Sequence, residues 1–320
     1  MTDLEHVVVL GVGGSADGSA ALQFAVREAV GRGRPLLLIH AWEGSPLYEG
    51  VLLFTRHDLE QAGAIVLQSA LDRVEELAPS LDCRSRLVEG RVEDELVEAS
   101  REAELLVLGC AGRDASRLGR VLGHVPARAA CPVIAVPEAV TDVAGDVVVG
   151  IDGLGVCLDA IGYAFEQASR WDVGLVAVLA LATSFDAYLP SEGLLEQLHE
   201  RGRRCLAEAL AGWCEQYPDV AVTQLVALGD ASSTLTAAAQ NAGLLVVGTH
   251  GRGSVRALAL GSVSSSLLRS ARCPVAVVRN RHGAEPGRRG PERHTDEQLT
   301  GASWSRRPHQ PTRTDTHDER

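Results

Sequence analysis

The sequence contains no lysine, so all 30 of its basic residues are arginine. Without lysine the chain cannot carry a Walker-type phosphate loop, a protein-kinase active site or a Schiff-base nucleophile, because each of these needs the lysine amine. Acidic residues outnumber basic ones, 42 to 30, and give a formal net charge of −12. A charge of that sign argues against nucleic acid as a general partner.

Long apolar runs and a secretion signal are also missing. The longest apolar runs are about ten residues, half of the ~20 that a membrane-spanning helix needs. The first residues, MTDLEH, are polar and acidic, whereas a signal peptide begins with basic and then apolar residues. We therefore expect a cytoplasmic protein without a membrane segment.

The seven cysteines include no C-x-x-C pair, and their number is odd. This pattern is not typical of a disulfide framework or a zinc site, so we expect reduced, mostly buried thiols. A redox-sensing thiol at Cys110, beside a glycine-containing loop, is an alternative.

The main positive feature is an internal repeat, in which five pairs of identical residues share one offset of 139 residues. The pairs are Gly14 and Gly153, Gly90 and Gly229, Leu96 and Leu235, Gly109 and Gly248, and Gly112 and Gly251. Such a repeat indicates a tandem duplication. We predict one domain over 1–140 and a second over 141–280.

Each copy alternates short apolar runs with helical periodicity, as expected for strands and helices in turn. The predicted strands are 6–12, 35–42, 83–89, 104–109 and 132–136, then 146–151, 174–181, 220–227, 244–248 and 274–278. Clear helices are predicted at 56–78, 191–217 and 231–242, the last with Ser232 or Ser233 as N-cap. The sequence thus predicts an α/β protein with two tandem, doubly wound, five-stranded parallel-sheet domains.

Residues 281–320 differ from the rest, with four apolar residues in forty and nearly balanced charge. Such a segment cannot bury enough surface to offset its ordering entropy, so we predict a disordered tail. Its arginines could contact an acidic partner, although a solvated extension is the simpler interpretation.

A dinucleotide fingerprint is suggested near the start, where Gly11, Gly13 and Ala16 fit G-x-G-x-x-A and Glu43 could bind a ribose. The second copy has GIDGLG at the same place, with Asp152 at the position of Gly13. Because the sister copy lacks the pattern, we interpret it as incidental.

A stronger signal follows the fourth strand of the second copy, where the chain reads Gly248-x2-Gly251-x9-Gly261-Ser262. Glycines let backbone N–H groups approach an anion, and Gly261-Ser262 precedes a helix whose N-terminus favours phosphate. The hydroxyls of Ser262 and Ser264 could donate further hydrogen bonds, or Ser262 could be the N-cap. Two side chains in the loop, His250 and Arg252, could add positive charge.

With these motifs, residues 1–280 resemble the universal stress protein family in its tandem form. The resemblance rests on VVVGIDG, on G-D-x7-A from Gly229 to Ala238, on the glycine loop and on the closing CPVAVVR. It implies a doubly wound fold of the adenine-nucleotide α-hydrolase type and, as in ATP-binding members, a site for ATP with Mg²⁺.

The resemblance implies roles for individual residues of the second copy. Asp152 would contact the ribose or adenine side, and backbone near Leu179 would face the adenine. The glycine loop would hold the phosphates. The implied binding residues are Asp152, Gly153, Leu179, Gly248, His250, Gly251, Arg252, Gly253, Gly261, Ser262, Val263 and Ser264. Leu154 and Cys157 depart from the small hydroxyl residues usual in the family.

The first copy departs from the pattern where it matters. Its acid is replaced by Gly13, and its loop reads Gly109-x2-Gly112-x10-Gly123-His124, one residue longer. From Gly123 the chain reaches CPV in eight residues, against twelve in the second copy. We predict that this copy, with Pro126 near the start of its helix, binds nucleotide weakly or not at all. An alternative is a rebuilt anion site at 13–15 with Arg113.

No Ser-His-Asp order, metal-ligand spacing or nucleophile elbow is present, so we expect a binding protein rather than an enzyme. The favoured hypothesis is a stress-response regulator that binds ATP, and the alternatives are a nucleotide-independent scaffold or a slow ATPase.

The partners would be an adenine nucleotide and an unidentified protein. The resemblance implies an intrachain pseudo-dimer with CPVIAVP and CPVAVVR as its seam, because dimers of the family pair there; ordinary edge strands, blunted by Pro137 or Arg279, are the alternative. Two chains could form a homodimer. The apolar segment 45–54 is interpreted as packing, or alternatively as a lid or a partner surface.

Overall fold

A computed structural model describes residues 6–13, 20–43, 55–110, 115–140, 144–152, 158–181, 192–249 and 260–280. The predicted tail at 281–320 and the apolar segment at 45–54 lie outside these residues. Within them, no helix is long and apolar enough to cross a membrane.

The described chain has ten strands and eight helices, which alternate within each copy. The strands are β1 Val7–Gly11, β2 Leu36–Trp42, β3 Cys83–Glu89, β4 Ala103–Gly109, β5 Val133–Val136, β6 Val147–Ile151, β7 Leu175–Leu181, β8 Val222–Leu228, β9 Leu244–Gly248 and β10 Val275–Val278. The helices are α1 Ala20–Arg32, α2 Arg56–Leu77, α3 Val92–Ala99, α4 Ala115–Arg128, α5 Leu158–Trp171, α6 Glu192–Gln216, α7 Ala231–Ala238 and α8 Ser262–Ser270. Every strand lies within two residues of its predicted position.

All ten strands form one sheet in the order β3-β2-β1-β4-β5-β10-β9-β6-β7-β8. Neighbouring strands are parallel except at the centre, where β5 and β10 pair antiparallel. The central register places Val133 opposite Val277 and Ala135 opposite Val275. The predicted α/β fold and the predicted seam between the two copies are therefore confirmed. The boundaries at 140 and 280 stay a prediction, since the sheet runs through both copies.

The central strands form the core because they are apolar on both faces. In β5 all four residues are buried, as are four of the five residues of β6. One face of the sheet is covered by α1, α2, α5 and α6, and the other by α3, α4, α7 and α8. Continuous apolar strands of this kind are expected where helices cover both faces of a parallel sheet.

The helix at 231–242 is shorter than predicted and is capped by a different residue. It ends at Ala238, and its N-cap is Asp230, whose carboxylate accepts a hydrogen bond from the Ser233 N–H at 2.8 Å. The prediction that Ser232 or Ser233 is the N-cap is wrong. Asp230 competes better because its ionised carboxylate makes a charge-assisted bond at the positive end of the helix.

A buried polar network joins α1 of the first copy to α5 of the second. The Arg32 guanidinium contacts Glu28 at 2.9 Å on its own helix and Gln167 at 2.6 Å on α5. Glu28 also accepts a hydrogen bond from the Trp171 indole N–H at 3.0 Å. Glu104, at the start of β4, is 2.7 Å from the Arg32 guanidinium.

The two helices contribute different side chains to this network although they hold equivalent positions in the two copies. Glu28 corresponds to Gln167 and Arg32 to Trp171, each pair being separated by the 139-residue offset of the duplication. A charged pair on one helix therefore faces neutral groups on its counterpart. The arrangement favours pairing of the first copy with the second over pairing of the first copy with itself, which would set Glu28 against a second Glu28.

Candidate functional site

The candidate site lies at the carboxyl ends of β6 and β9. In the second half of the sheet, β6 has β7 on one side and β9 on the other, so the strand order reverses at β6. Asp152 directly follows β6, and Gly248 ends β9. Ligands of doubly wound proteins bind in the crevice at such a switch point. The structure thus brings the predicted acid and the first glycine of the loop to neighbouring strand ends.

The two ends of the glycine loop are tied together by hydrogen bonds. The Gly261 N–H donates to the Thr249 carbonyl at 2.9 Å, and the Ser264 hydroxyl donates to the Gly248 carbonyl at 2.7 Å. Thr249 and Ser264 are both buried. These contacts fix the N-terminus of α8 against the end of β9. Thr249 was not among the predicted site residues; its place directly after β9 is the signal that could have indicated it.

The N-terminus of α8 is left without a side-chain cap. Its N-cap is Gly261, which has extended backbone angles and no side chain to accept a hydrogen bond. The first intrahelical bond runs from the Ser265 N–H to the Gly261 carbonyl at 3.0 Å. The N–H groups of Ser262, Val263 and Ser264 therefore have no carbonyl partner within the helix. Together with the helix dipole they favour an anion.

The two predicted serines of this turn have different surroundings. The Ser264 hydroxyl donates to the Gly248 carbonyl and so helps to position the helix, and its contact with a ligand stays a prediction. Ser262 is exposed, and its hydroxyl lies on the first residue of the helix. The alternative that Ser262 caps the helix is wrong, because Gly261 occupies that position.

Leu179 lies on β7 with its side chain 1% exposed. It is the last residue of β7 paired to β6, where it faces Ile151, while β7 itself continues to Leu181. At Leu179 itself only the backbone can therefore meet a ligand, and adenine contact there stays a prediction. Five predicted site residues lie outside the described part of the chain: Gly153, His250, Gly251, Arg252 and Gly253.

The corresponding region of the first copy is built differently. Between β4 and α4 the chain has five residues, 110–114, whereas thirteen, 249–261, separate β9 from α8. Gly123 lies inside α4, so the prediction that Gly123-His124 begins a helix is wrong. Pro126 is in the last turn of α4 rather than near its start. The amide of Gly123 is thus committed to the helix and cannot serve an anion.

Two further predictions concern cysteines and metals. Among the described cysteines Cys131 and Cys273 are buried, three are half-buried and Cys214 is exposed, all as free thiols, so fewer are buried than expected. Burial raises the pKa of Cys110 to about 11, which keeps it a neutral thiol and argues against redox sensing. No group of three or more metal-ligating side chains occurs in the described ranges.

Comparison with known proteins identifies the family. The profile of the Universal stress protein family matches residues 6–137 and again 145–279. The chain belongs to the universal stress protein family. A universal stress protein of Mycobacterium tuberculosis is 37% identical over 291 residues, which cover 86% of this chain and 97% of that protein. A universal stress protein of Mycolicibacterium smegmatis is 37% identical over 297 residues, covering 87% and 98%. The crystal structure of a universal stress protein from Archaeoglobus fulgidus shares the fold, with a TM-score of 0.58 and 17% identity over 87% of this chain and 97% of that one.

Proposed function

We propose that the second copy of this universal stress protein binds an adenine nucleotide, ATP with a divalent ion. The bound nucleotide, rather than its hydrolysis, would be the signal that the protein transmits. The observation that carries the proposal is the N-terminus of α8. It lies at the switch point, has a glycine N-cap without side-chain cap, and is anchored to β9 from both sides. An uncapped helix N-terminus in this position suits a phosphate group.

The orientation of the nucleotide follows from charge. Asp152 is a carboxylate, and it would repel phosphate oxygens, so the phosphates belong at α8 and the neutral ribose or adenine at Asp152. The carboxylate can accept hydrogen bonds from ribose hydroxyls or an adenine amine. His250 and Arg252, between β9 and α8, would supply positive charge toward the phosphates. The divalent ion would be held mainly by the phosphates themselves.

Turnover of the nucleotide is not part of the proposal. Hydrolysis needs a positioned water and charge stabilisation near the transferred phosphate. The one carboxylate assigned to this crevice, Asp152, lies at the end assigned to the ribose. Binding without dedicated catalysis is typical of a sensor or regulator, and the protein partner that would respond is unidentified.

The first copy is proposed not to bind nucleotide, because only five residues separate β4 from α4 and Gly123 lies inside that helix. Its place in the protein would be structural, as the other half of the sheet. A nucleotide-independent scaffold is the competing function. It shares the fold but requires no ligand at α8.

Thermal unfolding with and without ATP and Mg²⁺ tests the proposal. Ligand at 100 times its dissociation constant stabilises the folded state by about 2.7 kcal/mol. The informative variant is Gly261→Asp, because an aspartate at an N-cap stabilises the free helix yet repels phosphate. Its backbone φ of −62° suits any residue. We expect an unfolding temperature at or above wild type without ATP and no rise with ATP.

The matched control is Gly123→Asp, the same change inside α4, where nothing lies within 4 Å of an added Cβ. It should keep the full ATP-induced shift. Wild-type protein that unfolds at one temperature with and without saturating ATP would favour the scaffold function instead.

A further inference from the structure

The two outer edges of the ten-stranded sheet are β3 and β8. They are counterparts in the duplication, since each is the third strand of its copy. An outer strand presents unpaired backbone N–H and C=O groups along its free side, and such edges pair with other chains unless they are guarded. Within the part of the chain that the structure describes, one edge is guarded and the other is not.

The β3 edge is guarded by charge. Its sequence is CRSRLVE, with Arg84 and Arg86 on one face of the strand and Cys83 and Leu87 packed against the core on the other. Arg84 lies 2.7 Å from the carboxylate of Asp82. Charged side chains on an edge strand are a common means of preventing edge-to-edge pairing.

The β8 edge carries no charge at all. Its sequence is VTQLVAL, and the strand's middle residues, Thr223, Gln224 and Leu225, are exposed. By the 139-residue offset, Thr223 corresponds to Arg84 and Leu225 to Arg86. Where the first copy has the two guarding arginines, the second copy thus has a threonine and a leucine, and Leu225 is 39% exposed.

The free backbone groups of β8 can be assigned from its ladder with β7. The Ala221 carbonyl accepts a hydrogen bond from the Leu175 N–H, and the Gly229 N–H donates one to the Leu181 carbonyl. Because alternate residues of a parallel strand face the same neighbour, the odd-numbered residues from 221 to 229 face β7. The even-numbered ones, Val222, Gln224, Val226 and Leu228, direct their N–H and C=O groups away from the sheet.

We propose that β8 is a dimerisation edge, on which β8 of a second copy of this chain pairs antiparallel about a two-fold axis at Leu225. The even-numbered residues then form the hydrogen-bonded pairs, Val222 with the partner's Leu228 and Gln224 with the partner's Val226. Leu225 meets the partner's Leu225 in a non-hydrogen-bonded pair, where Cα atoms approach to about 4.5 Å and side chains are closest. The exposed leucine becomes buried at the axis.

The occupant is a second copy because the strand is complementary to itself. Antiparallel self-pairing of β8 sets apolar and amide side chains against one another, with no like charges opposed. The same operation on β3 would set Arg86 against the partner's Arg86, which is destabilising. With one edge open and the other guarded, association stops at a closed dimer instead of continuing into a filament.

Sedimentation or light scattering on the full chain tests this. Wild type should have twice the 33.8 kDa mass of one chain. The double variant Thr223→Arg, Leu225→Arg gives β8 the two arginines that β3 has at the equivalent positions, and it should have the mass of one chain. The reciprocal variant Arg84→Thr, Arg86→Leu opens the second edge and should form larger assemblies. A single-chain wild type at tens of micromolar, an undiminished dimer in the first variant, or no growth in the second would overturn the proposal.

A cysteine pair gives a readout that does not depend on how well arginines are accommodated. In a Cys214→Ser background, which removes the one exposed thiol among the described cysteines, Leu225→Cys should form an interchain disulfide on mild oxidation, because the pair at the axis is within disulfide reach. The control is Thr223→Cys, whose two copies would lie several residues apart along the paired strands, and it should stay monomeric on a non-reducing gel. Equal cross-linking of the two variants would contradict pairing about Leu225.

Discussion

Replacing Arg32 by methionine tests whether the buried network between α1 and α5 holds the two copies together. The Arg32 side chain is 2% exposed and contacts Glu28, Glu104 and Gln167 at 2.9, 2.7 and 2.6 Å. Methionine retains most of the apolar stem but removes the charge. Glu28, whose side chain is 1% exposed, then keeps hydrogen bonds from Trp171 and Gln167 but no cation.

The magnitude follows from that uncompensated charge. Removing one partner of a buried ion pair costs about 3–5 kcal/mol. Glu104 adds little to the loss, because its side chain is 24% exposed and it keeps Arg34 at 2.8 Å. We therefore expect Arg32→Met to lower the free energy of unfolding by about 3–5 kcal/mol, measured by urea denaturation followed by circular dichroism.

A second substitution separates the charge from the packing. Glu28→Gln in the Arg32→Met background removes the uncompensated carboxylate and should recover about 1 kcal/mol or more, a coupling typical of contacting residues. The control is Arg34→Met, whose arginine is 43% exposed and whose loss should cost less than about 1 kcal/mol. If Arg32→Met costs no more than Arg34→Met, or if the two changes at 28 and 32 are additive, the reasoning is refuted.

Three further predictions concern single sites. Burial acts to raise the pKa of Glu104, but the hydrogen bonds and charges of Arg32 and Arg34 outweigh it and lower that pKa below its ordinary 4.5. The stabilisation of the folded state by the ionised Glu104 is therefore present above pH 4.5 and is lost as the pH falls through the lowered pKa. Urea denaturation should therefore show a steeper acid loss of stability in wild type than in Glu104→Gln, and equal slopes would contradict it. In α4, Gly123→Ala should stabilise by about 0.5–1 kcal/mol, because the added Cβ meets nothing within 4 Å. The same change at Gly162 places Cβ 2.5 Å from the Trp213 ring and should destabilise the protein by about 1–3 kcal/mol. Calorimetry that finds stability changes of the same sign for the two alanine variants would be evidence against the described packing.

The strands could be predicted well because their signal is local. Runs such as VVVLG, LLLIHAW and CPVIAV are apolar on consecutive residues, bounded by glycine or proline, and too short for helices. The repeat then fixed the two-fold character of the chain, and pairing at the seam placed β5 next to β10. The strands are local in sequence, the repeat appears as identical residues 139 apart, and the seam is what the family resemblance implies.

The predictions that failed depend on competition between neighbours. The start of α4 was misplaced because Gly119 and Gly123 look like loop residues, although both lie within the helix. Serine is a good N-cap, which favours Ser232 or Ser233 at the start of α7, but the neighbouring Asp230 carboxylate accepts the Ser233 N–H at 2.8 Å and takes that position. The Arg32 network escaped notice because its partners are up to 139 residues apart and no short motif marks them.

Nucleotide binding by the second copy and not by the first is the property on which the proposed function depends most directly. Isothermal titration of the full chain with ATP and Mg²⁺ measures it as a stoichiometry. We predict one site per chain, absent in Gly261→Asp and retained in Gly123→Asp. Two sites per chain would show that the first copy binds despite its short loop, and no binding to wild type, or undiminished binding to Gly261→Asp, would contradict the site at the N-terminus of α8.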